Sequence, residues 1–205
     1  SLMGGERKAV LLGNAAAHHA KASSLLALAN WIAEQTGASI GYLTEAANTV
    51  GAQLAGAMPG KSGQNAGQML AGGLKAVLLL NTEPAFDAAG GVGALGKAQM
   101  VVGMSPFRAN MDICDVVLPI APFTETSGSF INAEGRLQGF HAVVKPAGDA
   151  RPAWKVLRVL ANTLGLPGFD FDSTPDVLAH SGLAGVDEHG RVAAATLSNR
   201  TDAAI

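Results

Sequence analysis

Short aliphatic runs alternate along the chain with longer stretches whose apolar residues recur at helical spacing. Ala9-Val10-Leu11-Leu12 reads as a buried strand within Lys8 to Gly13, ended by Gly13-Asn14. From about His18 to Gln35 the residues Leu25, Leu28, Ala29 and Ile32 share one helical stripe, and Gly37 supplies a C-terminal stop. Ser39 to Leu43 reads as a second strand, after which Thr44 is expected to cap an alanine-rich helix over Glu45 to Leu54, interrupted by Gly51. Met58 to Gln68 is loop by composition, with a turn or two of helix over Gln68 to Leu74. Ala76 to Leu80 is the clearest strand, apolar on both faces as a central parallel strand covered by helices would be. Thr82-Glu83-Pro84 reads as loop, Val92 to Lys97 as a glycine-rich helical segment, and Gln99 to Met104 as the next strand.

One helical turn over Ala109 to Ile113 precedes a strand at Val116 to Leu118, which Pro119 ends by removing a ladder donor. A polar loop dense in Thr, Ser, Glu, Asn and Arg runs on to Gln138, followed by an extended piece at Ala142 to Lys145. Trp154 to Leu164 is a helix with Pro152 in its first turn and Gly165 as stop. Asp176 to His180 reads as a turn or two of helix, and Leu183 to Ile205 as a mobile tail. Strands and helices alternating at this spacing predict an α/β fold with a doubly wound, mostly parallel sheet. The expected organisation is a cloning scar over residues 1–4, an α/β domain over 5–168 and a partly mobile extension over 169–205.

Composition narrows the function classes. The chain is 48% hydrophobic, enough for a core, while a net charge of −2 gives no concentrated positive footprint for nucleic acid or an anionic membrane. No apolar run approaches the ~20 residues that span a bilayer. Cys114 is the sole cysteine, so an internal disulfide or a four-cysteine metal or cluster site is excluded within this sequence.

The remaining motifs read better as structure than as chemistry. Gly91-Val92-Gly93-Ala94-Leu95-Gly96 matches a dinucleotide fingerprint in letters, but its strand ends ten residues earlier, so no helix N-terminus would meet a pyrophosphate. Gly56 to Ser62 is one residue short of a phosphate-binding P-loop and follows a helix. His18 and His19 are adjacent, point in different directions around a helix and cannot chelate as an i, i+4 pair would. In the polar loop, Glu125 or Glu134 is expected to pair with Arg136, with Thr126 and Asn132 capping backbone groups. These residues support no catalytic or metal-ligating assignment.

The run from Cys114 to Pro119, followed by Glu125-Thr-Ser-Gly-Ser-Phe-Ile-Asn-Ala-Glu-Gly-Arg-Leu-Gln138, together with strand ends at Asn81-Thr82-Glu83-Pro84 and Ser105, resembles the molybdopterin oxidoreductase family. Leu12-Gly-Asn-Ala15, Trp31 to Gly37, Leu43 to Asn48, Pro119 to Glu125 and Ala150 to Leu157 are similar to the branch found in the large iron–sulfur subunit of bacterial respiratory NADH–quinone oxidoreductase. The resemblance covers about Val10 to Phe171 and implies a fold of the formate dehydrogenase type. In catalytic relatives, loops at the strand ends bind a molybdopterin guanine dinucleotide, and the matching positions here are Gly13, Asn14, Asn81, Glu83, Ser105 and Glu125.

In the respiratory branch the resemblance implies a fold kept without molybdenum. The fragment then has no cofactor of its own and is inactive alone. Iron–sulfur clusters lie elsewhere in the subunit, and flavin lies in a partner subunit. Expected partners are the iron–sulfur domain and other peripheral-arm subunits, on the cytoplasmic side of the inner membrane and without insertion into it. The cysteine-rich region and the barrel of whole relatives are missing from this sequence, which reads as an excised domain.

Overall fold

In a computed structural model the chain, described over residues 3–88, 92–93, 95–183, 185–192 and 198–205, is α/β with parallel sheets. It divides into two compact units. The first comprises Ser1–Ala57, Ser129–Gln138 and Leu178–Ile205, and the second Met58–Gly128 and Gly139–Val177.

The first unit opens with strand β1 (Ala9–Leu12), helices α1 (Asn14–Ala17) and α2 (Ala22–Thr36), and strand β2 (Ser39–Tyr42), which pairs with β1 in parallel from Ala9↔Ser39 to Leu12↔Tyr42. Helix α2 buries Ala29 and Ala33 and ends at Gly37, whose φ of 69° is the left-handed conformation of a C-terminal cap. The helix expected from about His18 therefore starts four residues later, at Ala22, and the separate one-turn helix α1 precedes it. His18 and His19 lie at the break, where the His19 ring accepts from the Lys21 amide and His18 Nε2 meets Glu45 Oε2 at 2.7 Å. Helix α3 (Thr49–Leu54) starts four residues later than expected, after Asn48 and not after Thr44. The Asn48 side chain accepts from the Ile131 amide at 2.8 Å, and a Cβ on Gly51 would lie 2.0 Å from that same oxygen, so a glycine inside the helix leaves room for the contact.

In the second unit, helix α4 (Ala66–Leu70) begins with reciprocal bonds between Asn65 and Gln68, the capping-box arrangement that satisfies two orphan amides. Strands β3 (Ala76–Leu80), β4 (Met100–Ser105) and β5 (Val116–Pro119) form a parallel sheet in that order, and the one-turn helix α5 (Pro84–Asp87) follows β3. Leu79 and Val101 on one face pack with Leu95, Ile113 and Cys114. The opposite face is not covered as expected: Leu78 and Leu80 each remain 43% exposed. Lys97 closes a short 3₁₀ turn begun at Leu95; of the glycine string nearby, Gly91 and Ala94 lie outside the described residues. Helix α6 (Ala153–Thr163) follows and is tied to the segment beyond it by the Arg158 guanidinium donating to the Phe171 carbonyl; helix α7 (Thr174–His180) begins in this unit, and its last three residues are counted with the first.

The polar loop after Pro119 is more ordered than its composition suggests. A 3₁₀ turn at Phe123–Glu125 leads into a hairpin of β6 (Gly128–Ile131) and β7 (Leu137–Phe140), while the extended piece expected at Ala142 to Lys145 forms no strand. Asn132 Oδ1 accepts from the amides of Glu134 and Arg136 at 3.0 Å each, which closes the hairpin turn. The expected Arg136–carboxylate pair is replaced: Arg136 donates to the His189 carbonyl at 3.1 Å, and Arg136 and Arg191 form an antiparallel bridge. Leu137 N donates to Gly190 O and Val192 N to Gly135 O, so part of the stretch read as a tail is hydrogen-bonded to the hairpin.

Candidate functional site

The parallel register of β3 and β4 brings their C-terminal ends side by side, with Leu80 opposite Met104. The Asn81 amide adds one more rung, donating to Met104 O at 2.8 Å. Asn81 then turns the chain with a φ of 49°, a left-handed conformation that asparagine tolerates better than most side chains. Pro84 takes the first position of α5, where its lack of an N–H is harmless and its fixed φ suits a helix start.

Asp87, at the end of that single turn, reaches back over it. Its Oδ2 accepts from the Thr82 hydroxyl at 2.9 Å and from the Glu83 amide at 2.6 Å. These two bonds, the backbone one first, hold its carboxyl below the usual aspartate range. Asn110 Nδ2 donates to Thr82 O at 2.8 Å from the far side, and the Phe107 amide donates to Ser105 Oγ at 3.1 Å.

Between these groups lies a cavity of about 340 Å³, lined by Asn81, Thr82, Glu83, Phe86, Asp87, Ser105 and Phe107. Its volume is at the small end of the range for ligand pockets. Asn81, Glu83 and Ser105, three of the positions singled out in the sequence, meet here. Glu125 is in the same unit but does not line the cavity, and its Oε2 accepts from the Ala147 amide at 3.0 Å. Gly13 and Asn14 follow β1 in the other unit, where both carbonyls accept bonds from α1 and the turn after it.

Sequence reasoning missed Phe86, Asp87 and Phe107. Pro84 carried the available signal, because a proline just after a strand end marks a helix start and places the fourth helical residue over the first turn. Among the described residues no cluster of three or more His, Cys, Asp or Glu is placed to hold a metal ion. Cys114 is half-buried; burial, then the charges of Asp112 and Asp115, push its thiol pKa up and away from the reactive thiolate.

A profile of the molybdopterin oxidoreductases matches residues 4–163. The chain belongs to that family. Among curated proteins similar to the chain, those of Staphylococcus aureus strains USA300 and NCTC 8325 / PS 47 with the provisional name formate dehydrogenase are each 45% identical over 51 residues. Those residues are 25% of this chain and 5% of each relative, so the match spans a small part of the proteins it resembles.

The family name implies a pterin cofactor, and the strand end fits one poorly. A pterin dinucleotide carries phosphates, whereas the cavity presents Glu83 and Asp87 with no Lys or Arg among the residues lining it. Lys75, Lys97 and Arg108, the nearest cations in sequence, are not part of the lining. The helix after β3 is a single turn, too short for its N-terminus to offset two carboxylates. The loop's own backbone already occupies one Asp87 oxygen and one lone pair of Ser105, so this molybdopterin oxidoreductase domain turns several strand-end groups inward.

Proposed function

We propose that this domain is a structural member of its family, carried in the peripheral arm of an NADH–quinone oxidoreductase. There it supports NADH-to-quinone electron transfer without a redox centre of its own. The observation that carries this reading is the strand end just described: its charge is negative, and Asp87, Ser105 and Asn110 hold the loop's own backbone. The proposed neighbours are the iron–sulfur domain of the same subunit and other arm subunits on the cytoplasmic face. Among the described residues no helix is long and apolar enough to cross a membrane.

Retention of a pterin or guanine dinucleotide site is the competing reading, and the cavity is the observation in its favour. Elemental analysis of the purified chain, with calorimetric titration of GDP, separates the two. The structural reading expects no stoichiometric iron or molybdenum and no GDP binding at micromolar concentration. Stoichiometric metal or micromolar affinity overturns it.

A further inference from the structure

The cavity at the ends of β3 and β4 is built for a different kind of guest. Glu83 is half-buried, and its side-chain oxygens have no partner among the described residues. Asp87 uses only Oδ2 for the loop, which leaves Oδ1. Ser105 is 7% exposed, lines the cavity, and has one lone pair beyond the bond from Phe107 N. Two aromatic rings complete the lining, and both stand out in solvent: Phe86 is 85% exposed and Phe107 71%.

Two carboxylates, a buried acceptor and two uncovered rings call for a flat cation rich in N–H donors. We infer that this cavity receives the guanidinium of an arginine presented by a partner protein. A guanidinium offers five N–H donors in a planar fork that matches carboxylates and stacks on aromatic faces. A lysine ammonium would use the charge but not the rings' planarity. A purine nucleotide would use the rings, but its phosphates would meet two like charges. An arginine reaching in from a neighbouring surface also covers the exposed rings, and arginine with aromatic residues dominates the well-buried centres of protein interfaces. The inference rests on the reading that this strand end no longer holds a pterin dinucleotide.

The test is an NMR titration of the full chain with the blocked tripeptide acetyl-Gly-Arg-Gly-amide, its citrulline counterpart, and GDP. Citrulline keeps the shape of arginine and removes its charge. Saturable shifts of the Asn81, Thr82 and Phe107 amides are expected with the arginine peptide. The citrulline peptide should bind at least about tenfold more weakly, a difference typical of a lost charge-assisted contact. Glu83→Gln should weaken the arginine peptide by a similar factor while leaving the rest of the spectrum in place. No saturable shift, or equal binding of the two peptides, overturns the inference; the peptide comparison needs no variant and stands even if Glu83→Gln misfolds. Micromolar GDP binding at the same amides overturns the proposed function as well, whereas failure of both ligands overturns the arginine site alone.

Discussion

Asp87 sets the shape of the strand end. Its carboxylate ties the Thr82 hydroxyl and the Glu83 amide into one turn, and those bonds favour the ionised form. Because the folded-state pKa is depressed, the stabilisation is complete above the ordinary carboxylate pKa and is lost as pH falls through the folded value. A carbon-detected titration of Asp87 should therefore give a pKa below that of an unfolded aspartate. Asp87→Asn, which keeps an acceptor and removes the charge, should make the fall in Tm between about pH 5 and pH 2 shallower. An unshifted pKa would remove the electrostatic part of this account. At this scale the sequence was partly legible. Asn81, Glu83 and Ser105 could be picked out as strand-end residues, but Asp87 could not, since Thr82-Glu83-Pro84 reads as loop unless the proline is taken as a helix start.

At the scale of elements, β3 shows what an aliphatic run conceals. Val77-Leu78-Leu79-Leu80 is legible as a strand from its short continuous apolar run, and its bounds match. Which face is covered depends on Leu95, Ile113 and Cys114, which arrive from later in the chain. The two faces should respond differently to truncation. Leu79→Ala, at a site 7% exposed, should cost about 2–5 kcal/mol in urea unfolding, and Leu78→Ala, 43% exposed, clearly less, about 1 kcal/mol. Equal losses would mean that the outer face is buried in solution. The hairpin of β6 and β7 was illegible for a related reason. Gly128-Ser129-Phe130-Ile131 has little β-branched content, and the Asn48 side chain that anchors Ile131 lies 83 residues away. Local pattern cannot report a partner that distant.

For the whole molecule, the alternation of strands and helices was enough to predict an α/β fold with parallel pairing, and the family match agrees with it. The division into two units was not legible, because the first is assembled from three separated stretches of sequence. One of those stretches carries the bonds from Gly190 and Val192 to the hairpin, alongside the Arg191–Asp187 ion pair at 3.0 Å and the Arg136 bond to His189. For a protease these contacts matter more than distance from the terminus. Arg136 and Arg191 sit opposite each other in a bridge and cannot extend into trypsin's cleft without breaking it, whereas Lys61 lies in an exposed loop with no strand or helix around it. Limited trypsin digestion followed by mass spectrometry should therefore nick the chain at Lys61 before Arg136 or Arg191. An early cut at Arg191 would show that the closing turn opens readily; a late one makes residues 187–192 part of the folded body that any truncation must respect.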